Sequence, residues 1–331
     1  MAAQPQNHKV IYAAMAGNLL VALTKFVAAW YTGSSAMLSE GVHSLVDTGN
    51  QFLLLYGLRQ AARPPDESYP LGHGRELYFW SFIVALLVFA LGAGVSIYEG
   101  IIHIGDPVKI SNPLINYVVL GLAMLFEGAS WYVALKDFRR IKGTRGWFKA
   151  IRESKDPTTF TVLFEDTAAL VGLAIAFVGT AASEWFEAPV LDGVASIAIG
   201  CVLAITAILL ARETKGLLMG EAARPELRRA IERIAMDHPG VDRAATQFTV
   251  HMAPDQVVGI VNVDFTDRIP SQEVETAANL IEQRIRDTYP EMVAVFVRPR
   301  GPSLLPPVRQ KDPDSKRPLP ESSGSGQSIG T

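Results

Sequence analysis

Apolar residues along the first two-thirds of the chain gather into long runs instead of alternating with polar ones. Six such runs, approximately residues 10–31, 35–58, 77–104, 114–135, 159–182 and 190–210, are each long enough to predict a helix that crosses a hydrocarbon core of roughly 30 Å. The first lacks a small-residue cleavage site after a short apolar core, so it reads as a retained helix and not a signal peptide. Past residue 210 the pattern changes. "PELRRAIERIAMDHPGV" sets Leu227, Ile231 and Ile234 at helical spacing, while "ATQFTVHMA" and "QVVGIVNVDF" alternate like paired strands with Pro254 and Asp255 in the turn. The helical "SQEVETAANLIEQRIRDTY" and the strand "MVAVFVRP" complete an αββαβ order, a small α+β unit with its helices on one face of a sheet.

The connections set an orientation. "RQAARPPDESYPLGHGR" holds three arginines and "KDFRRIKGTRGWFKAIRESKDP" eight Lys or Arg, whereas "TGS", "GDPVKISNP" and "SEWFEAP" share one lysine. Basic loops stay on the cytoplasmic side, which places both termini and the two basic loops inside. Trp30, Tyr31, Trp185 and Phe186 then fall at the outer interface, where aromatic belts sit.

Composition agrees with a chain divided between lipid and water: 49% hydrophobic, yet 19% charged with a formal net charge of -3 over 331 residues. The predicted class is an α-helical membrane protein with six transmembrane helices followed by a small cytoplasmic α+β domain. The expected layout is a tail over 1–9, a membrane domain over 10–211, a cytoplasmic αββαβ dimerisation domain over 212–300 and a disordered, Pro-, Ser- and Gly-rich tail over 301–331. The one cysteine, Cys201, excludes internal disulfides and thiolate metal clusters.

One apolar run carries polar residues that need a reason. Within "SEGVHSLVDTGNQ", Glu40, His43 and Asp47 each cost several kcal/mol to bury in hydrocarbon without a partner. With Asn50 they stand at offsets of three, four and three, one stripe of a single helix, and such a stripe must face the bundle interior. At about 1.5 Å per residue, Asp47 lies roughly 18 Å below the outer surface and Asp166, in "FTVLFEDTAALVG", roughly 10 Å above the inner one, so the two meet near one depth. One neutral imidazole and two carboxylates around a divalent cation sum to zero charge, which a low-dielectric site tolerates. Glu127 reads as an interhelix hydrogen bond or a proton relay, Lys25 as close enough to the outer end to snorkel, and Glu99 and His103 as interfacial.

"TKFVAAWYTGSSAMLSEGVHSLVDTGNQ", "YPLGHGRELYFW", "EDTAALVGL" and "DGVASIAIG" together resemble the cation diffusion facilitator family of divalent-metal transporters, over nearly all of residues 10–300. The resemblance implies a homodimeric, proton-coupled antiporter of divalent metal, zinc by family prevalence, with manganese, iron(II) or cobalt open. It also implies a transport site of two residues four apart on the second helix, here His43 and Asp47, and two on the fifth, here Asp166 and a position occupied by Val162. Glu165 beside Asp166 resembles the branch that includes the mitochondrial, ZnT9-like members, and the resemblance leaves Glu165 or water as the fourth ligand. Glu40, Asn50 and Glu127 are expected on a proton path or behind the ligands.

The family's loop site survives only as Asp66 and His73, with Tyr69 in place of a histidine, and a weak or absent site is expected. Its cytoplasmic sites meet Ala245, Asn262, Phe296 and Arg298 and read as lost, with His238 and His251 on the surface. Protons and the bilayer are the other expected partners, nucleic acid is not, and the expected setting is a bacterial inner membrane. The competing reading is a membrane-anchored regulatory or scaffold protein that has lost transport, which Val162 would favour. An enzyme is not expected, since the chain shows no Gly-x-Ser-x-Gly or metalloprotease motif.

Overall fold

The computed structural model describes residues 8–143, 146, 155–267 and 269–301, with the side chains of 8–16, 141 and 159 left aside. The predicted terminal tails lie largely outside these residues, as does much of the second basic loop. The helices are α1 (His8–Thr32), α2 (Ser35–Ala61), α3 (Glu76–Leu87), α4 (Gly94–Gly105), α5 (Pro113–Lys142), α6 (Pro157–Trp185) and α7 (Val190–Met219). A π-helical segment, Val88–Ala93, joins α3 to α4 into one continuous stretch. The chain continues as α8 (Pro225–Met236), β1 (Val241–Ala253), β2 (Gln256–Phe265), α9 (Ser271–Thr288) and β3 (Met292–Pro299).

Four stretches among the described residues are long and apolar enough to cross a membrane: Glu76–Gly105, Pro113–Arg140, Phe160–Trp185 and Val190–Met219. The other two expected spans are helical over 25 and 27 residues. In α2 the stripe of Glu40, His43, Asp47 and Asn50 lowers the apolarity. Helices α5 and α7 run past their expected ends, to Lys142 and Met219, because hydropathy marks where lipid stops and not where hydrogen bonding does.

Helix ends are held by specific chemistry. Ser34 caps α2 by accepting from the Met37 amide at 3.1 Å. Asp192 of α7 adds its carboxylate to the same end, accepting from the Ser35 amide at 2.5 Å, the Ala36 amide at 3.2 Å and the Ser34 hydroxyl at 2.8 Å. His103 is buried, with Nε2 3.9 Å from the Asp192 carboxylate, so it belongs to this junction and not to the interface as expected. Asp156 caps α6 through the Thr158 amide, with Pro157 at the first position.

Between the helices the core is built of small residues, including Ala28, Ala36, Ala93, Ala123, Ala168, Ala176 and Ala195, around Met37, Leu120, Leu173, Ile199 and Leu203. Close approach of helices is what stabilises a bundle in lipid, where no hydrophobic force separates a leucine from an acyl chain. At Gly100 and Gly193 the α4 and α7 backbones come so near that a side chain on either would collide with the other helix.

The C-terminal sheet has the order β1-β2-β3, with β1 and β2 antiparallel and β2 and β3 parallel. Leu227 and Ile231 of α8 and Ile281 and Ile285 of α9 pack on Val257, Val261, Val263 and Val295. Thr249, His251 and Ala253 share the buried face of β1, so His251 lies inside and not on the surface as expected. Its Nδ1 pairs with the Ala253 carbonyl at 3.3 Å. This region abuts the helices: the His251 amide donates to the Glu221 carbonyl, the Glu221 carboxylate pairs with Lys155, and Gly74 presses on Met252 and Ala253.

Candidate metal-transport site

A narrow cleft between α1, α2, α5 and α6 holds a cluster of polar residues. Asn18, Ser44, Asp47, Gln51, Glu127, Ser130, Val162, Glu165 and Asp166 line it. Asp47 and Asp166, expected at one depth from different helices, share this cleft. Val162 faces it one turn before Asp166, so the departure from the family pattern sits inside the cleft itself.

On α2, the His43 ring is buried, with Nδ1 3.5 Å from Asp47 Oδ1. Among the described residues, neither ring nitrogen of His43 nor Asp47 Oδ1 has a hydrogen-bond partner. Buried polar atoms are ordinarily paired, so an orphaned imidazole beside an orphaned carboxylate oxygen is a donor pair held in reserve.

On α6 the adjacent carboxylates part. Glu165 turns to α2 and accepts from Asn50 Nδ2 at 2.8 Å, while Asp166 turns to α5 and accepts from the Ser130 hydroxyl at 3.0 Å. The 100° between successive helical residues therefore separates their partners without removing either from the cleft. Among the described residues, no three His, Cys, Asp or Glu side chains converge tightly enough to hold an ion as they stand. Side-chain rotation of His43, Glu165 or Asp166 would be needed to close a coordination shell.

Glu40 lies outside the cleft. Its Oε2 is 3.1 Å from Lys25 Nζ, and both residues are fully buried, which overturns the expectation that Lys25 reaches the outer surface. Two helices joined by the tight Gly33 turn bring these residues level, and a lysine with a carboxylate at its own depth has no need to snorkel. Lys25 also donates to the Ser44 hydroxyl at 2.7 Å.

The loop residues Asp66 and His73 engage each other, His73 Nε2 to Asp66 Oδ2 at 3.0 Å. Asp66 Oδ1 accepts from the Ser68 and Tyr69 amides, and the Tyr69 bond, then the His73 bond, hold its carboxyl below the usual carboxylate range. The pair thus shapes a turn.

The cation efflux transmembrane domain model matches residues 11–219. The chain belongs to the cation diffusion facilitator family. Similar proteins include the mitochondrial proton-coupled zinc antiporter SLC30A9 of mouse and of human, each 30% identical over 302 residues, 90% of this chain and 53% of the relative. Metal tolerance protein C4 of Arabidopsis thaliana is 34% identical over 220 residues, 65% of this chain and 48% of that one. The cation-efflux pump FieF of Escherichia coli is 26% identical over 279 residues, 84% and 87% of the two chains. The chain spans about half the length of its mitochondrial relatives. The ZnT9-like resemblance read from "ED" at 165 and 166 is borne out.

Proposed function

We propose that the chain exports a divalent metal ion, zinc foremost, in exchange for protons, by alternating access of one cleft to the two sides of the membrane. The observation that carries this reading is the meeting of Asp47, Glu165 and Asp166 from two helices in one cleft, with the unpartnered His43 imidazole against Asp47. We assign His43, Asp47 and Asp166 as ligands and Glu165 as the fourth, with Asn50 orienting Glu165 and Glu127 on the proton route. One histidine among carboxylates leaves manganese, iron(II) and cobalt as competing substrates.

Metal ligands must be deprotonated to bind, so protons and the ion compete for the same donors, and either one alone limits the net charge buried in the membrane. That competition couples their movements in opposite directions. Alongside it we propose six membrane crossings, both termini in the cytoplasm, a cytoplasmic region over 212–300 and a homodimer, in the inner membrane of a bacterium. The similarity to SLC30A9, named a proton-coupled zinc antiporter, and to FieF, named a cation-efflux pump, supports this reading.

Reconstitution into proteoliposomes tests it. Under an imposed proton gradient, zinc should move against the protons, and a scan of manganese, iron(II) and cobalt ranks the substrates. Vesicles that move none of these ions would instead favour the membrane-anchored regulatory role.

A further inference from the structure

The buried Lys25 ammonium stands beside a cleft read above as a cation site, and its position poses a physical problem. Among the described residues its hydrogen-bond partners are Glu40 Oε2 and the Ser44 hydroxyl, and Ser44 itself lines the cleft. Asp47 is three residues beyond Ser44 on the same face of α2, one helical turn away, where side chains are neighbours. Asp47 Oδ1 is buried and has no hydrogen-bond partner among the described residues. A desolvated ammonium on a four-carbon stem, one turn from a buried carboxylate oxygen, is drawn to it strongly.

Glu40 supplies the opposing pull. It precedes Ser44 by four residues on α2 while Asp47 follows it by three, its carboxylate holds the ammonium at 3.1 Å, and it is not among the residues that line the cleft. The other oxygen, Oε1, rests against Gly172 of α6, at a place where any side chain on residue 172 would collide with it. Glycine there leaves the carboxylate the room it needs.

We propose that Glu40 is a positioning residue that keeps the Lys25 ammonium off Asp47, so that a cation carried by the protein itself does not compete with the transported ion. The inference rests on the cleft being a divalent-metal site. It assigns Glu40 a task distinct from carrying the ion or a proton, because Glu40 acts only through Lys25. The consequence is a rescue: without Lys25, Glu40 is dispensable.

Initial rates of zinc transport by the full-length protein in proteoliposomes, measured against zinc concentration, test this. Glu40→Gln keeps the shape and frees the ammonium. KM should rise about tenfold or more with little change in kcat, the pattern of a competitor for the ground-state site. Lys25→Met in the same protein should return KM to within about twofold of wild type.

An unchanged KM in Glu40→Gln overturns the proposal, and so does a raised KM that Lys25→Met fails to restore, which would mark Glu40 as acting on the ion or proton directly. If Glu40→Gln does not fold, the double variant decides: folded and near wild-type KM supports the proposal, folded with a tenfold higher KM overturns it. Gly172→Ala gives a second route, since it crowds Glu40 while preserving every charge. KM should rise in the wild-type background and stay level in the double variant, and a rise in both overturns the proposal. Wild-type vesicles that move no metal would overturn the transport reading itself, an outcome distinct from these.

Discussion

Asn50 Nδ2 donates a 2.8 Å hydrogen bond to Glu165 Oε1 and thereby ties the polar stripe of α2 to the helix that supplies the other half of the cleft. Asn50 is fully buried, so a leucine there would leave the Glu165 carboxylate without its orienting donor. Groups that orient metal ligands typically matter by about 10–100-fold in affinity. Asn50→Leu should weaken zinc binding by that order, measured by competition with a fluorescent chelator on the detergent-solubilised protein. An unchanged affinity would detach Glu165 from the ion.

Val162 offers a gain-of-function test. It faces the cleft with Asp47, Glu165 and Asp166, at the position where the family usually carries His or Asp. Val162→His adds a nitrogen donor, which favours zinc over manganese. The ratio of zinc to manganese transport should rise several-fold. A ratio that stays level would show that residue 162 does not reach the ion.

His251 gives a pH dependence in the C-terminal region. Burial, the largest influence, pushes its imidazole below the ordinary histidine value, with Lys155 and Arg224 acting in the same direction and the Ala253 carbonyl against it. A histidine whose folded value is lowered binds its proton more readily when unfolded, so stability rises with pH through that range. The contribution is intact above the unfolded value of about 6.5 and is lost as pH falls below it. Thermal unfolding of the full-length protein between pH 8 and 5 should show a decline that His251→Gln flattens. Equal slopes for the two proteins would contradict the assignment.

Much of this architecture was legible in the sequence because lipid makes hydropathy explicit. The apolar runs marked six long helices, and the basic residues of two connections set a predicted orientation. The stripe from Glu40 to Asn50 was legible from helical spacing alone, and Asp166 followed from counting depth along the helices. Pairings between helices were harder. Lys25 and Glu40 stand nearly equidistant from Gly33, so treating α1 and α2 as one hairpin would have set them face to face. Reading Lys25 by its distance from the membrane surface missed that.

His251 escaped for a different reason. Histidine as a type is intermediate in burial, and strand alternation places His251 with Thr249 and Ala253 on the inner face, so the periodicity decides. The carboxylate of Asp192 at the start of α2 had no local signal, because a cap from another helix leaves no trace in the sequence it caps.

The most direct test of the central claim is proton-driven zinc transport by Asp47→Ala and Asp166→Ala beside wild type, in vesicles matched for protein content. Each carboxylate lines the shared cleft from a different helix, and removing one leaves a bound cation under-neutralised in a dry site. Loss of one partner of a buried charge arrangement costs about 3–5 kcal/mol, on the order of 100-fold or more in rate or affinity. Both variants should remain folded by size-exclusion chromatography and move zinc at no more than about 1% of the wild-type rate. Wild-type transport by folded Asp166→Ala would contradict the account.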